Sequence, residues 1–254
     1  MKLTVLVENT GPGDLIREHG LSVYINYSDR HILLDAGQSG GFLDNAKALG
    51  VDITSINLAV LSHGHYDHGD GLCAFLNANS VAPVYLRPQA IQPLWYSTAT
   101  PGKYIGLSQE TRDALVKRQR FVEDVTELAP GVWAVPDAVE HEQSLVLEGE
   151  RGLVVLNSCC HAGAGYILRD IQARFPAKPL HALVGGLHLM GKSGPDSLGV
   201  APGIVKNLGK WLFGELGLET LYTGHCTGAP AYDILKEAYP EKVHPLTTGL
   251  TLEL

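Results

Sequence analysis

Short apolar runs closed by glycine or polar residues recur along the chain. Residues 58–61, Leu-Ala-Val-Leu, run into Ser62 and Gly64, which indicates a buried strand followed by a turn. Residues 42–49 instead carry apolar side chains at helical spacing and stop at Gly50, a typical helix C-terminal signal. The same criteria predict strands at 3–7, 22–27, 31–34, 58–61, 132–135, 144–147, 153–156, 181–184 and 221–223, and helices at 42–49, 71–77, 108–119 and 198–216 and in segments ending near 175 and 238. This alternation favours an α/β fold.

The segment His63-Gly-His-Tyr-Asp-His68 directly follows one of these strands and holds three imidazoles and a carboxylate. Neutral imidazole nitrogens and carboxylate oxygens are ligands that a borderline metal such as Zn²⁺ accepts. In α/β sheets, binding sites are built at the carboxyl ends of strands. Gly64 would let the backbone turn tightly enough for His63 and His65 to point the same way. The alternative is a solvated, histidine-rich turn, but four donors at a strand end, with Asp67 among them, favour a metal site.

Four further candidates follow other predicted strands. Asp35 could orient a ligand, or it could equally cap a turn or helix. His161, His188 and His225 each lie beside or near a glycine at the end of a short apolar run. A single histidine in such a place is more often a core or capping residue. Their shared position predicts that they join the first cluster at a common sheet edge, whereas His19 is a weaker candidate.

Residues 87–120 differ in character from the rest of the chain. They hold six basic and two acidic residues, a formal charge of +4, together with Trp95, Tyr96 and Tyr104. Prolines and a glycine interrupt the first half, so we expect an irregular loop followed by the helix at 108–119. Two interpretations stay open: a lid offering aromatic rings and cations to an anionic substrate, or a surface loop with a solvated helix face.

Length, composition and charge exclude some classes of function. The chain has 254 residues, 45% hydrophobic and 18% charged, which suits a globular protein with a sizeable core. No linker divides it, so one domain over 1–254 is expected, with 87–120 as an insertion. A formal net charge of −8 argues against a general nucleic-acid binder. The N-terminal apolar stretch is too short for a secretory signal, and no run approaches the roughly 20 residues of a membrane span, so a cytoplasmic protein without membrane contact is expected.

The four cysteines show no CxxC spacing, so neither a zinc ribbon nor a disulfide framework is indicated. Cys160 and Cys226 flank two of the histidines. As small buried hydrophobes they need no function, and a thiolate ligand for zinc is the alternative.

Residues 186–193, Gly-Leu-His-Leu-Met-Gly-Lys-Ser, match the phosphate-loop pattern GxxxxGK[ST]. Such a loop needs its Lys and Ser to open a helix whose amides face the phosphates. Here Gly194 and Pro195 follow at once, and proline disfavours helical geometry at the residue before it. Nucleotide binding is therefore not expected.

With this histidine motif after a strand and well-separated histidines at later strand ends, the chain resembles the metallo-β-lactamase superfamily over its whole length. Several phrases, which include Glu18-His-Gly-Leu-Ser22, Asp35-Ala-Gly-Gln-Ser39, Cys160-His-Ala-Gly163 and His225-Cys-Thr-Gly228, resemble one branch of it. That branch is named after 7,8-dihydropterin-6-methyl-4-(β-D-ribofuranosyl)aminobenzene 5′-phosphate synthase. The resemblance implies an α/β fold of the four-layer αββα sandwich type.

The resemblance also implies roles for particular residues. His63, His65 and His161 would hold one metal and Asp67, His68 and His225 another, with Asp35 orienting a ligand. The superfamily usually has a bridging Asp where this chain has His188, so the second metal would bind more weakly or His188 would contact substrate. Asp67 and His188 are the candidates for orienting the nucleophile or carrying a proton.

These roles lead to a functional hypothesis. Divalent metals lower the pKa of bound water to about 7 and polarise carbonyl or phosphoryl oxygens. The sequence therefore predicts a metal-dependent hydrolase, or a transferase using the same site, that acts through metal-bound hydroxide on a small anionic substrate such as a phosphoester or pterin-type compound. One or two divalent ions are expected, zinc first, with iron or manganese as alternatives. The rival hypotheses are an iron-containing redox or sensing protein and a non-catalytic metal-binding module. The predicted strands and the aromatic loop in 87–120 leave room for a homodimer.

Overall fold

The computed structural model describes residues 1–138 and 141–254. Within these ranges the strands are β1 (Lys2–Val7), β2 (Ser22–Tyr27), β3 (Arg30–Leu34), β4 (Leu58–Val60), β5 (Val84–Leu86), β6 (Gln119–Phe121), β7 (Thr126–Ala129), β8 (Val132–Pro136), β9 (Gln143–Gly149), β10 (Gly152–Leu156), β11 (Leu180–Gly185), β12 (Met190–Gly191), β13 (Gly194–Leu198), β14 (Thr220–Thr223), β15 (Val243–Pro245) and β16 (Thr251–Glu253). The α-helices are α1 (Gly41–Ala48), α2 (Tyr66–Gly69), α3 (Leu72–Ala78), α4 (Gln109–Leu115), α5 (Ala164–Arg174), α6 (Pro202–Lys210) and α7 (Ala229–Ala238).

The chain forms two compact units. The first comprises Met1–Val125, His141–Gln143 and Thr247–Leu254, and the second comprises the remaining described residues between Thr126 and Leu246. Each unit carries one large sheet with helices, so the expected α/β class is confirmed. No helix in the described ranges combines the length and apolar character needed to cross a membrane.

The sheet of the first unit has the order β16-β1-β2-β3-β4-β5-β6. Strands β3, β4, β5 and β6 run parallel, so the carboxyl ends of β3 and β4 lie side by side. Its core includes Phe42 of α1 and Phe75 of α3, both fully buried. Burying a phenylalanine contributes about 1.5–3 kcal/mol, so these two rings help to fix the helices against the sheet.

The sheet of the second unit has the order β15-β14-β11-β10-β9-β8-β7. Strands β10, β11, β14 and β15 are parallel, and their carboxyl ends share one edge. Every residue of β10 and β11 is buried, as expected for parallel strands covered on both faces.

Two predicted helices differ from the structure. The helix expected at 108–119 ends at Leu115, and Gln119 instead begins β6, which pairs with β5. The helix expected at 198–216 begins at Pro202, because Leu198 belongs to β13 and proline suits the first helical turn. Strand pairing overrides local helical propensity in both places.

The structure also bears on the phosphate-loop pattern at 186–193. No helix follows it, since the chain continues into β13. The expectation that this pattern does not form a phosphate-binding loop is therefore confirmed.

Candidate metal centre

Two histidine rings meet edge to face after β4. His63 is fully buried, His65 is half-buried, and Nε2 of His63 lies 3.0 Å from Nδ1 of His65. Two ring nitrogens this close require a shared proton or a cation between them.

Asp35, at the end of β3, fixes the hydrogen bonding of this cluster. Its Oδ1 accepts the backbone N–H of Ser62 and its Oδ2 accepts the Ser62 hydroxyl, each at 2.7 Å. Since the hydroxyl proton is used there, Ser62 Oγ accepts the Nδ1–H of His63 at 2.9 Å. Nε2 of His63 therefore keeps its lone pair, which is the form that binds metal.

Asp35 also holds His68, whose Nδ1 lies 2.8 Å from Oδ2. Burial by itself lowers the pKa of His68, but the charges of Asp67, Asp35 and Glu142 outweigh it and raise the pKa to about 9. The buried surroundings of His68 thus favour a positive charge, which a proton or a metal ion can supply.

Asp67 lies in the short helix α2 and is nearly buried. Its Oδ2 is 3.6 Å from Nε2 of His68 and 3.2 Å from Nε2 of His19. The side chain of His19 is 42% exposed, so the pair connects the buried carboxylate with solvent. The structure thus brings the weaker candidate His19 into this cluster.

Aromatic rings from the 87–120 segment lie beside His65. The rings of Trp95 and His65 are 5.7 Å apart, and those of Trp95 and His141 are 4.1 Å apart. The backbone of Gly106 forms a β-bridge with His65. The segment therefore contacts a candidate ligand directly, as the lid interpretation requires.

In the second unit, His161, His188 and His225 follow β10, β11 and β14. The rings of His161 and His188 lie 4.3 Å apart. His225 is buried, His161 is half-buried and His188 is exposed. These three strands end at one edge of the second unit's sheet. The first cluster follows strands of the other sheet, so the prediction of a single sheet edge common to both clusters is wrong.

Backbone strain concentrates at the candidate residues. Five non-glycine residues in the described ranges have positive φ, and four of them, Asp35, Cys160, His188 and His225, lie at these strand ends, with φ of 55°, 54°, 53° and 48°. A conformation that costs about 1–3 kcal/mol persists only where the surroundings enforce it, and such residues cluster at functional sites.

Cys226 lies next to His225 and is buried. Burial raises the pKa of its thiol, but hydrogen bonds to Cys159 and His188 and the charges of His225 and His188 lower it well below the usual value. None of the four cysteines, all within the described ranges, forms a disulfide. The sulfur atoms of Cys159 and Cys226 and one nitrogen of His225 lie within 4.8 Å of one another, close enough to hold one metal ion.

The second unit also contains a cavity of about 650 Å³ between the end of β8 and α5. Its lining is mainly apolar, with Val135, Ile167 and Ile171 at its walls and Ala162, the residue after His161, at its edge. Cavities of about 300–1,000 Å³ are typical of small-molecule sites.

A family model described as the metallo-β-lactamase superfamily matches residues 15–175, more than half of the chain. The chain belongs to the metallo-β-lactamase superfamily. The match takes in His63, His65, Asp67, His68 and His161, so the resemblance inferred from the sequence is confirmed.

Individual members of the superfamily agree with this assignment. The protein Tm1679, described as a metal-dependent hydrolase of the β-lactamase superfamily, is 31% identical with a TM-score of 0.80, over 100% of this chain and 99% of that one. A Methanocaldococcus jannaschii protein, 7,8-dihydropterin-6-methyl-4-(β-D-ribofuranosyl)-aminobenzene-5′-phosphate synthase, is 25% identical over 91% of this chain and 88% of its own. Zn²⁺-bound PqqB from Methylobacterium extorquens shares the fold, with a TM-score of 0.62, 15% identity and complete coverage of both chains.

The donor atoms of the first unit fit the metal that the superfamily implies. Two nitrogens bound at about 2.0–2.1 Å to one tetrahedral zinc lie roughly 3.3 Å apart, close to the 3.0 Å between His63 and His65. Because Ser62 and Asp35 take the Nδ1 atoms of His63 and His68 as hydrogen-bond partners, Nε2 is the nitrogen of each ring that would bind a metal. The donor set is nitrogen and oxygen, as zinc accepts.

Sequence reasoning missed three parts of the first unit's cluster. Ser62 was taken only as a turn residue, yet it relays the orienting effect of Asp35 to His63. Glu142 and His141 come from a part of the chain without a strand-end signal. Oε1 of Glu142 is 3.7 Å from Nδ1 of His63. Gly64 does not need positive φ. Instead, a Cβ there would overlap the backbone of Ala90.

Proposed function

We propose that this protein is a metal-dependent hydrolase, or a transferase using the same site, acting on a small anionic substrate such as a phosphoester or a pterin-type compound. The observation that carries the proposal is the facing pair of His63 and His65 nitrogens, held by Asp35 through Ser62. The likeness to Tm1679, described as a metal-dependent hydrolase, supports the reaction class. The likeness to a synthase of a phosphorylated pterin compound supports the substrate class.

In this proposal two sets of residues hold metal ions. His63, His65 and His161 hold one divalent ion, Asp67, His68 and His225 hold a second, and Asp35 orients His63 and His68. The position of every one of these ligands at or just after the carboxyl end of a parallel strand supports the assignment. Zinc is the best match to the donors, with iron and manganese as alternatives.

A divalent ion in this place would make water acidic enough to lose a proton near neutral pH and would polarise a phosphoryl or carbonyl oxygen. The protein's own groups supply the proton path. Asp67 Oδ2 and His19 Nε2, 3.2 Å apart, form a carboxylate–imidazole pair that can accept a proton and deliver it to solvent. His188, exposed and beside His161, is the substrate-side group that can donate a hydrogen bond.

Each unit offers features that suit a small anionic substrate. The cavity beside Ala162 has room for an apolar ring system. Trp95, packed on His65 and His141, offers an aromatic face, and the 87–120 segment carries the positive charge that suits an anion. A single domain, a cytoplasmic location and a homodimer stay predictions.

Turnover of model substrates by the metal-reconstituted protein tests the proposal. Phosphodiesters, lactones and thioesters cover the bond types that such a site can cleave. We expect metal-dependent hydrolysis of at least one, reduced by about 10²–10⁴-fold in Asp67→Asn and unchanged in His244→Ala, whose ring stacks on Tyr222. No turnover with any class, or turnover that survives complete removal of metal, would contradict it.

A further inference from the structure

Two cysteines and a histidine meet at the carboxyl edge of the second unit's sheet. Cys159 follows β10, and His225 and Cys226 follow β14. Their side chains are 4%, 4% and 6% exposed, so the cluster lies in the interior of the unit. One donor atom from each lies within 4.8 Å of the other two.

The neighbouring strand explains how these residues meet. In the sheet, β11 lies between β10 and β14, so its extension would normally separate the two turns. The chain leaves β11 through Gly185 and Gly186, and a Cβ at Gly186 would overlap the Cys226 sulfur and lie 2.9 Å from the carbonyl oxygen of Ser158. The missing side chain at Gly186 thus lets the two cysteines approach each other across the end of β11.

The turns that carry these residues adopt unfavourable backbone conformations. His225 has φ of 48°, and Cys160, directly after Cys159, has φ of 54°. Neither is a glycine, and positive φ is uncommon for other residues. Their backbones are thus held by the surrounding structure in the positions that bring the donor atoms together.

We propose that Cys159, His225 and Cys226 bind one divalent metal ion through two thiolates and one imidazole, with zinc as the best match. Two sulfurs and one ring nitrogen leave a fourth tetrahedral position open, as in zinc sites of the Cys₂His type. Thiolates also select zinc over the hard ions magnesium, calcium and manganese. The inference touches the proposed function only at His225, which it assigns to this ion in place of the ion given to Asp67 and His68.

A metal-free role for the thiols makes the opposite prediction. The Cys226 sulfur lies 3.6 Å from the carbonyl oxygen of Cys159, to which its S–H can donate. Small buried thiols of this kind pack as hydrophobic groups. In that case no metal–sulfur bond forms under any loading condition.

X-ray absorption at the zinc edge on the zinc-loaded wild-type protein distinguishes the thiolate metal site from the metal-free role of the thiols. We expect a zinc–sulfur distance of about 2.3 Å beside shorter zinc–nitrogen distances. A spectrum that fits nitrogen and oxygen ligands alone, or a protein that takes up no zinc, would overturn the proposal. Because this measurement uses the wild-type chain, it does not depend on a variant folding.

Cobalt substitution then assigns the sulfurs. Thiolate-to-cobalt charge-transfer absorption should fall by about half in Cys226→Ser and in Cys159→Ser and vanish in the double variant. Cys160→Ser and Cys73→Ser are the controls, since one is a buried neighbour outside the cluster and the other lies in the first unit. Full absorption in the double variant would count against the assignment.

The same data separate this inference from the proposed function. Metal-dependent turnover without metal–sulfur bonds would overturn the thiolate site and leave the hydrolase proposal standing. Metal–sulfur bonds without turnover of any substrate would overturn the hydrolase proposal and leave the thiolate site standing.

Discussion

Asp35 receives three hydrogen bonds on one buried carboxylate. It accepts the backbone N–H and the hydroxyl of Ser62, and it lies 2.8 Å from Nδ1 of His68. Through Ser62 it also sets the tautomer of His63. One carboxylate thus directs Nε2 of two candidate ligands, so a substitution at Asp35 should affect both of them.

Asp35→Asn tests this role. Asparagine tolerates the positive φ of this position, but its amide nitrogen must face one of the three donors. Loss of an outer carboxylate partner typically weakens metal binding by about 10–100-fold, and we expect that range when zinc is titrated into the metal-free protein. Asp29→Asn, in an exposed hairpin turn, makes the same charge change and is the control. Equal zinc affinity in the two variants would show that Asp35 does not orient the ligands.

At the scale of elements, the turn after β4 is held down by the start of the 87–120 segment. Ala90, 1% exposed, lies over Gly64, where a Cβ would be only 2.7 Å from the Cα of Ala90. The helical turn Pro88–Ile91 that carries Ala90 therefore packs directly on the turn between His63 and His65.

Gly64→Ala should accordingly destabilise the protein by about 1–3 kcal/mol, the usual cost of overpacking. Gly203, in α6, has no atom within 4 Å of the added Cβ. Gly203→Ala should therefore be neutral or stabilising by up to about 1 kcal/mol, because alanine is the better helix former. Denaturant unfolding of both variants measures the difference, and equal stability would contradict the close packing at Gly64.

Glu148 of β9 links elements of the second unit. Its Oε1 accepts Nε1–H of Trp133 at 3.0 Å, and its Oε2 lies 3.1 Å from Nζ of Lys178. The hydrogen bond from Lys178 and then that from Trp133 hold the pKa of Glu148 below its ordinary value. Because the pKa is lowered on folding, the carboxylate stabilises the native state above the unfolded pKa of about 4.3, and this contribution is lost as pH falls through the folded pKa.

Thermal melts from pH 7 to pH 3 check the sign. Glu148→Gln should lower Tm by about 1–3 °C at neutral pH, as expected for a partly exposed pair worth up to about 1 kcal/mol, and the difference should shrink as the pH falls below the unfolded pKa of about 4.3. Glu150→Gln, in the exposed turn between β9 and β10, is the matched charge control. A difference that persists or grows in acid would refute the assignment.

At the scale of the whole molecule, the sequence predicted what local pattern determines. His63, His65, Asp67 and His68 are neighbours in the chain, and the strand ends that carry His161, His188 and His225 follow from short apolar runs. Local sequence pattern is enough to predict these features. The fold class and the position of the candidate residues after strands were therefore both predicted correctly.

The rest depends on contacts between distant residues. His19 meets Asp67 across 48 positions, and Trp95 meets His141 across 46, which no local periodicity reveals. Likewise β6 forms because Gln119 pairs with Val84 of β5, although its flanking residues favour a helix. Gly186 resembled part of a phosphate loop, but its contact with Cys226 gives a different reason for the glycine.

The central claim is that the candidate histidines are ligands of a divalent metal ion. Calorimetric zinc titration of the metal-free wild type, His63→Ala, His161→Ala and the control His244→Ala tests it most directly. The account predicts that His63→Ala and His161→Ala each weaken zinc binding by more than the roughly 10–100-fold typical of an outer-shell loss, while His244→Ala matches the wild type. Wild-type zinc affinity and stoichiometry in a folded His161→Ala protein would contradict it.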